Sequence, residues 1–280
     1  MMANVYFIGP RQGPWTMVDA GTPGSAAWLR SAAQSCYGDR PPEAILLTHG
    51  HFDHVGAIDE LAEDWDIPIY AHRLEHPYLD GQSDYPPCDP TVGGFMAQLS
   101  RLFPHHGYNF GGRLQPLGDE PIAGWKTVAS PGHTAGHVSF FREQDRTLIV
   151  GDAFVTVNQN SFAELLSQHR QFFCPPPYLT QDWGMAIDSI VRLAELRPHT
   201  VAAGHGLPMS GEAVPHGLLR FAARVQPPRE GRYVNQPVVA TETGLAYIPP
   251  GRFDPAPALF AAGVAVGLAG TLYARRRARG

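Results

Sequence analysis

Three histidines and one aspartate crowd the tract THGHFDHVG at residues 48–56. His49 and His51 are two residues apart, so at the end of an extended strand their rings lie on one side and can share a metal ion. Asp53 and His54 are offset from that pair, so two neighbouring ions suit the four side chains better than one tetrahedral ion. The tract therefore predicts metal binding, and a solvated loop of satisfied polar groups is the alternative.

Three later tracts also carry side chains that bind metals, and each is flanked by glycine. They are SPGHTAGH with His133 and His137, VGDAF with Asp152, and AAGHG with His205. Each tract follows or ends an apolar run typical of a strand. Because loops at one rim of a sheet gather functional side chains in α/β scaffolds, we expect all four tracts to meet at one edge.

The four tracts, in this order, resemble the metallo-β-lactamase superfamily, and within it the branch of hydroxyacylglutathione hydrolases and related ester, thioester and lactone hydrolases. The resemblance covers residues 5 to about 225. It implies an α+β fold, a four-layer αββα sandwich with the metals at one edge of its two sheets. It also implies that Asp19, in VDAG, orients the metal loop. The implied ligands are His49, His51 and His133 for a first ion, Asp53, His54 and His205 for a second, and Asp152 as the bridge.

The resemblance implies a dinuclear zinc-dependent hydrolase in which a metal-bridging hydroxide attacks a small ester, thioester or lactone. Iron and manganese stay open as alternatives to zinc. Two cations roughly 3.5 to 4 Å apart lower the pKa of water and polarise a carbonyl. The predicted catalytic carboxylates are Asp152, which offsets the repulsion between the ions, and Asp53, which accepts a proton. No serine nucleophile is indicated, because SPGHT lacks a GxSxG elbow.

Two other activities of the same fold stay open, an iron-dependent thiol (persulfide) dioxygenase and a nucleic-acid phosphodiesterase. The complete second-site ligand set favours hydrolysis. The formal charge of -5 and the 21 lysines and arginines argue against a nucleic-acid partner, so a small-molecule substrate is expected. Activity on β-lactams is less favoured because no export signal is visible and the second-site ligands are unaltered. The oligomeric state is not predicted.

Several conspicuous side chains have two interpretations. His137 is expected to hydrogen-bond behind the ligands rather than to bind metal. His105 and His106 are expected at the surface or in a substrate pocket. The Tyr178 phenol either donates to an oxyanion or packs against the domain. The aromatic residues of the irregular insertion between Arg73 and Leu117 either line a substrate wall or form a small core of their own: Tyr85, Phe103, Tyr108 and Phe110.

The hydrophobic pattern places strands before each histidine tract and helices between them. Ser25 is expected to cap a helix, GAIDELAEDW to form a helix directly behind the histidine cluster, and Ser161 to Phe172 to form another. The predicted domains are a catalytic domain over residues 1–226, a proline-rich linker or extension over 227–257, and an apolar helix with a basic tail over 258–280.

The run ALFAAGVAVGLAGTLYA at residues 258–274 carries no charge and is followed by RRRAR. It predicts a transmembrane helix that anchors the protein to a membrane, or else a helix that docks on the domain. The three cysteines form no CxxC pair, which indicates a reducing compartment. We therefore expect a cytoplasmic protein, with membrane attachment by the C-terminal helix left open.

Overall fold

The first half of the chain forms one five-stranded sheet in the computed structural model, which describes residues 3–254. Its strands follow the chain order, β1 to β5. The first pair is antiparallel and the next three pairs are parallel. The strands are β1 Tyr6–Ile8, β2 Thr16–Val18, β3 Ile45–Leu46, β4 Ile69–Ala71 and β5 Leu114–Pro116.

The second half forms another five-stranded sheet, in the order β10-β9-β8-β7-β6. Here β8 and β9 are parallel and the other neighbours are antiparallel. The strands are β6 Trp125–Ala129, β7 Val138–Arg142, β8 Thr147–Gly151, β9 Thr200–Ala203 and β10 Met209–Ser210, and a separate hairpin pairs β11 Val239–Thr241 with β12 Gly244–Tyr247.

The helices differ in how they begin. The Asp182 side chain accepts a hydrogen bond from the Met185 amide and caps α7. Ser25 does not cap α1 as predicted, because its hydroxyl donates to the Thr22 carbonyl instead. The helices are α1 Ala26–Tyr37, α2 Phe52–Val55, α3 Ile58–Trp65, α4 His76–Leu79, α5 Phe95–Leu99, α6 Phe162–Ser167, α7 Trp183–Glu195 and α8 Ala213–Ala222, with 3-10 turns at Pro90–Val92, Ser100–Leu102 and Gly111–Arg113.

Three apolar clusters fix the layer order. In the first cluster, Leu29 and Leu61 of α1 and α3 pack on the outer face of the first sheet. The second cluster fills the space between the sheets, and the third packs α7 and α8 on the second sheet. This arrangement confirms the predicted αββα sandwich. The middle layer contains Ile8, Val18, Leu46, Trp125, Val138, Phe140 and Ile149.

The proline-rich segment after residue 226 is packed rather than extended. The first compact unit of the chain reaches Pro249. Tyr233 is buried, and its hydroxyl donates to the Pro87 carbonyl at 2.6 Å. The Asp89 carboxylate accepts a hydrogen bond from the Arg232 amide. Up to Pro249 the segment is thus held by non-local hydrogen bonds, and the division into a catalytic domain and a linker or extension over residues 227–257 stays a prediction.

The predicted apolar helix over residues 258–280 lies outside the described residues. Within residues 3–254, no helix is long and apolar enough to cross a membrane. The prediction of a transmembrane helix is accordingly withdrawn. Its basis was a run of seventeen residues, which is shorter than the twenty or so that usually span the hydrocarbon core.

Candidate metal centre

The seven predicted ligands converge at one edge of the sandwich, although each tract leaves a different element. His49 and His51 follow β3, and Asp53 and His54 lie in α2. The second half of the chain contributes His133 from the β6–β7 loop, Asp152 after β8, and His205 after β9. Three groups have ligand atoms within 4.8 Å of one another: His49, His51 and His133; His49, His54 and Asp152; and Asp53, His54 and His205.

Burial distinguishes this cluster from a solvated loop. His49, His54 and His133 are fully buried, and the most exposed of the seven side chains are Asp53 at 7% and His51 at 4%. Histidine and aspartate are rarely buried together in this number unless they are paired or bind a metal. The mouth of the site therefore lies beside His51 and Asp53.

Orphaned atoms test whether a metal suits these residues. Within the described part of the chain, the buried atoms Nε2 of His49, Nε2 of His54 and Oδ1 of Asp152 have no hydrogen-bond partner. Each unsatisfied buried polar atom costs about 1–3 kcal/mol. Imidazole nitrogens and carboxylate oxygens are the donors that zinc and similar cations bind. The residues present therefore fit a metal centre.

Asp152 lies between the ligand groups. Its Oδ2 is 3.7 Å from Nε2 of His133, 3.6 Å from Nε2 of His54 and 3.2 Å from Nε2 of His205. Oδ2 of Asp53 is 3.3 Å from the same nitrogen of His205. A carboxylate in this position can contact cations held by either group.

Asp19, which the resemblance implied to orient the metal loop, contacts Thr48 and His54 of that loop. Its Oδ1 accepts from the Thr48 amide at 2.8 Å, and its Oδ2 lies 2.8 Å from Nδ1 of His54. Asp19 adopts a left-handed backbone conformation with φ 59°. A carboxylate oxygen that accepts from Nδ1 keeps the proton there and leaves Nε2 of His54 for a metal.

His137 lies behind the ligands. Its Nε2 accepts from the Asp152 amide at 3.0 Å, so the proton belongs on Nδ1, which lies 2.9 Å from the Ser130 hydroxyl. Gly151 has φ 53°, and a Cβ there would come within 2.6 Å of the same His137 nitrogen. His137 thus positions the backbone of Asp152.

Glu75 is a site residue that the sequence did not reveal. It is fully buried, and its carboxylate joins two metal-ligand loops. Its Oε2 accepts from the Gly50 amide at 3.0 Å and from the Tyr85 hydroxyl, and its Oε1 accepts from the Thr134 hydroxyl at 2.7 Å and from the Gly136 amide at 2.9 Å. An isolated glutamate in an irregular segment gives no motif, so no local signal could have identified it.

Burial favours the neutral form of His49, His51, His133 and His137. Neutral imidazole is the form that binds metals. Burial lowers the pKa of His51 to about 4 and that of His137 to about 3. Burial, together with the neighbouring histidines, holds the pKa of His49 and of His133 well below the ordinary range.

In the set formed by Asp53, His54 and His205, the neighbouring carboxylates raise the pKa of both histidines, so a cation bound there would compete with protons. Burial favours neutral His205, but Asp152 and Asp53 outweigh it and raise the pKa of His205 to about 9. Burial is likewise outweighed at His54, where Asp152 and Asp19 raise the pKa well above its usual value. Burial opposes ionisation of Asp152, yet His205 and His54 hold its pKa well below the ordinary range.

The remaining sequence candidates lie around the cluster. The Tyr178 hydroxyl donates to Oε1 of Gln159 at 3.1 Å, and its buried ring belongs to a small apolar cluster with Met96 and Ala97. Tyr108 and Phe110 stack, and Phe110 belongs to the first apolar cluster. His105 and His106 are exposed.

The sequence of this chain is similar to a known protein family and to named relatives. The family model described as the metallo-beta-lactamase superfamily matches residues 1–205. Over 232 residues, the chain is 43% identical to the probable metallo-hydrolase YflN of Bacillus subtilis (strain 168), which covers 80% of this chain and 88% of that protein. The chain belongs to the metallo-β-lactamase superfamily, which confirms the resemblance found in the sequence.

Two further relatives are more distant. A hydroxyacylglutathione hydrolase of Mesorhizobium japonicum is 28% identical over 219 residues, which make up 78% of this chain and 65% of that protein. The crystal structure of the BLEG-1 B3 metallo-beta-lactamase is 25% identical with a TM-score of 0.53, and the match covers 77% of this chain and 92% of that one. The names of the relatives agree with the predicted metal-dependent hydrolase.

Proposed function

We propose that this protein is a dinuclear zinc-dependent hydrolase of a small ester, thioester or lactone. The observation that carries the proposal is the cluster of seven buried side chains, whose candidate ligand atoms lie within 4.8 Å of one another in each group and include unpartnered atoms of His49, His54 and Asp152. Divalent cations in such a site supply a nucleophile from water near neutral pH and polarise the carbonyl of the substrate.

The protein's own residues prepare and shield this chemistry. His49, His51 and His133 would hold one ion and Asp53, His54 and His205 the other, with Asp152 reaching both. Asp53 stands at the mouth and is 7% exposed. Burial opposes ionisation of Asp53, but His205 and His54 outweigh it and lower its pKa, so Asp53 enters each cycle as a carboxylate able to take a proton.

The second ligand group bears on the choice between hydrolase and dioxygenase. A mononuclear iron enzyme needs only the first group, whereas Asp53, His54 and His205 form a second group of the same compactness. Burying these additional polar side chains costs free energy, and binding of a second ion would offset that cost.

Metal analysis paired with an activity panel tests the proposal. The expected result is two equivalents of zinc and turnover of an ester, a thioester or a lactone. His51→Ala and Asp152→Ala should reduce turnover to background, whereas His216→Ala, at an exposed position on α8, should not. One equivalent of iron with oxygen uptake would overturn the proposal in favour of a dioxygenase. Purified protein without a transition metal would overturn it altogether.

A further inference from the structure

Two short helices near the candidate metal centre expose large apolar side chains. On α5 and the 3-10 turn after it, Phe95, Leu99 and Leu102 are 41%, 38% and 83% exposed. On α6, Phe162 and Leu166 are 56% and 71% exposed. Contiguous exposed apolar surface marks a binding site in a soluble protein. These five side chains are called the apolar patch below.

The two parts of the apolar patch meet through Phe95 of α5 and Phe162 of α6. The rings of Phe95 and Phe162 meet edge to face with centroids 5.3 Å apart. Gly94 permits this approach, since a Cβ there would lie 2.6 Å from Oδ1 of Asn160. Beneath the patch, a small apolar cluster joins the two helices through Met96, Ala97, Leu165 and Tyr178.

A row of aromatic rings connects the mouth of the site to the cluster beneath the apolar patch. Phe52 lies between His51 and Asp53, the two ligands that are most exposed. The ring of Phe52 is 5.1 Å from that of Phe103, which is 5.8 Å from the ring of Tyr178. Tyr178 itself is buried, whereas Phe52 and Phe103 are partly exposed and Phe103 directly follows Leu102 of the apolar patch, so these two rings link the mouth to the patch.

The charge of the patch selects among acyl compounds. The two helical stretches, FMAQLSRL and FAELLS, contain one arginine and one glutamate. Arg101 donates to the carbonyl and the side chain of Gln98, and Glu164 accepts from the Gln171 amide. A phosphate-bearing or carboxylate-bearing carrier needs cations, whereas an aliphatic chain needs the apolar area that this surface offers.

We infer that the apolar patch is the acyl-chain subsite of the enzyme, and that its substrates are esters, thioesters or lactones of medium-chain aliphatic acids. This inference rests on the proposed function. It assigns Phe162 and Leu166 a role in specificity, through contact with the chain beyond the scissile carbonyl.

The test measures kcat/KM on p-nitrophenyl acetate, hexanoate and decanoate, kept below their micellar concentrations. In the wild-type protein kcat/KM should rise by about two- to fourfold per added methylene, as expected for burial of a CH2 group. The substitutions Phe162→Ser and Leu166→Ser should lower kcat/KM on decanoate by about tenfold and leave it unchanged on acetate. Val191→Ser, at a 38% exposed apolar position on α7, is the matched control.

Calorimetric binding of decanoate and hexanoate gives a readout that does not depend on turnover. Tighter binding of decanoate, lost in Phe162→Ser and retained in Val191→Ser, would support the subsite. Equal turnover of acetate and decanoate, or a chain-length dependence that survives both patch substitutions, would overturn the subsite and leave the proposed function intact. No turnover of any ester, thioester or lactone by zinc-loaded protein would overturn the proposed function. Calorimetric binding of decanoate would then be the remaining test of whether the apolar patch binds an acyl chain.

Discussion

At the scale of single residues, Glu75 has four hydrogen-bond donors around one buried carboxylate. Glu75→Ala leaves these donors without an acceptor, and we expect the free energy of unfolding to fall by about 3 kcal/mol. Metal content should fall as well, because the Gly50 and Thr134 loops carry His49, His51 and His133. Chemical denaturation and metal analysis measure the two effects.

Two further variants show whether the effect of Glu75→Ala comes from the loss of the buried carboxylate. Glu75→Gln keeps the shape but turns one acceptor into a donor that faces other donors, so it should also lose stability. Glu120→Ala removes an exposed acid that likewise accepts from a backbone amide, that of Gly124, and should change little. Full stability and full metal content in Glu75→Ala would contradict the positioning role.

Asp19 sets the tautomer of His54, and this leads to a second prediction. In Asp19→Asn the amide can present its NH2 group to Nδ1 of His54, which drives the proton onto Nε2, the nitrogen that faces Asp152. We expect a 10- to 100-fold loss of affinity for one of two metal equivalents. Chelator competition measures it, with Asp188→Asn on the exposed face of α7 as control. Two unchanged affinities would contradict this account.

The seven candidate ligands could be identified in the sequence and Glu75 could not, for a physical reason. The HGHFDH tract places four candidate ligands within six residues, so its spacing is informative, and each of the three later tracts places one candidate ligand beside glycine near an apolar run. Glu75 accepts from backbone amides and hydroxyls that lie 10 to 61 positions away in sequence. Nothing in LEHPY distinguishes it from an exposed glutamate until the loops are folded around it.

At the scale of elements, Gly132 determines how α7 approaches the metal loop. Its φ is +130°, and a Cβ there would come within 2.2 Å of the Ala186 amide nitrogen in the first turns of α7. Its carbonyl accepts from the Gln181 and Asp182 amides, which lead into that helix. Gly132 thus connects the start of α7 directly to the loop that carries His133.

Gly132→Ala should separate α7 from the loop and cost about 3 kcal/mol of stability, by overpacking and backbone strain together. Metal affinity should fall too, since His133 is the next residue. Gly124→Ala is the control, because Gly124 has φ +78° with nothing within 4 Å of its Cβ, so only the strain of about 1 kcal/mol remains. Thermal melts compare the two variants, and equal melting temperatures would refute the packing argument.

Element boundaries were predicted less well than element order. The helix expected over residues 161–172 ends at Ser167, because Gln168 turns left-handed and Phe173 instead pairs with Val155. The apolar run AILLTHG contributes only Ile45 and Leu46 to a strand, since the chain then turns to present its histidines. Tertiary pairing and the geometry of the site override local propensity in both places.

At the scale of the whole molecule, the opposed pKa shifts predict how pH affects the metal-free protein. The pKa of His205 is raised to about 9, so its stabilising effect is complete below the ordinary value of 6.5 and is lost as pH rises through 9. The pKa of His51 is lowered to about 4, so stability is lost as pH falls from 6.5 towards 4. The free energy of unfolding of the metal-free protein should therefore be greatest near pH 6.5, where the acid loss and the alkaline loss meet.

Urea denaturation of chelator-treated protein across this pH range measures the effect. His205→Gln should flatten the alkaline limb and leave the acid limb in place. Zinc-loaded protein should lose less stability between pH 7 and 9, because bound metal replaces the His205 proton. A midpoint that increases from pH 7 to pH 9 in the chelator-treated wild-type protein would contradict the assigned charges.

The division of the ligands between the two halves of the chain has a mechanical consequence. Four ligands, His49, His51, Asp53 and His54, belong to the half that builds the first sheet, and His133, Asp152 and His205 belong to the half that builds the second. Bound ions would therefore connect two sheets whose other contacts are apolar side chains such as Leu46 and Phe140. Part of the free energy of metal binding would then stabilise the contact between the two sheets. Removing the metal should speed amide hydrogen exchange in the strands that face this contact before either sheet unfolds.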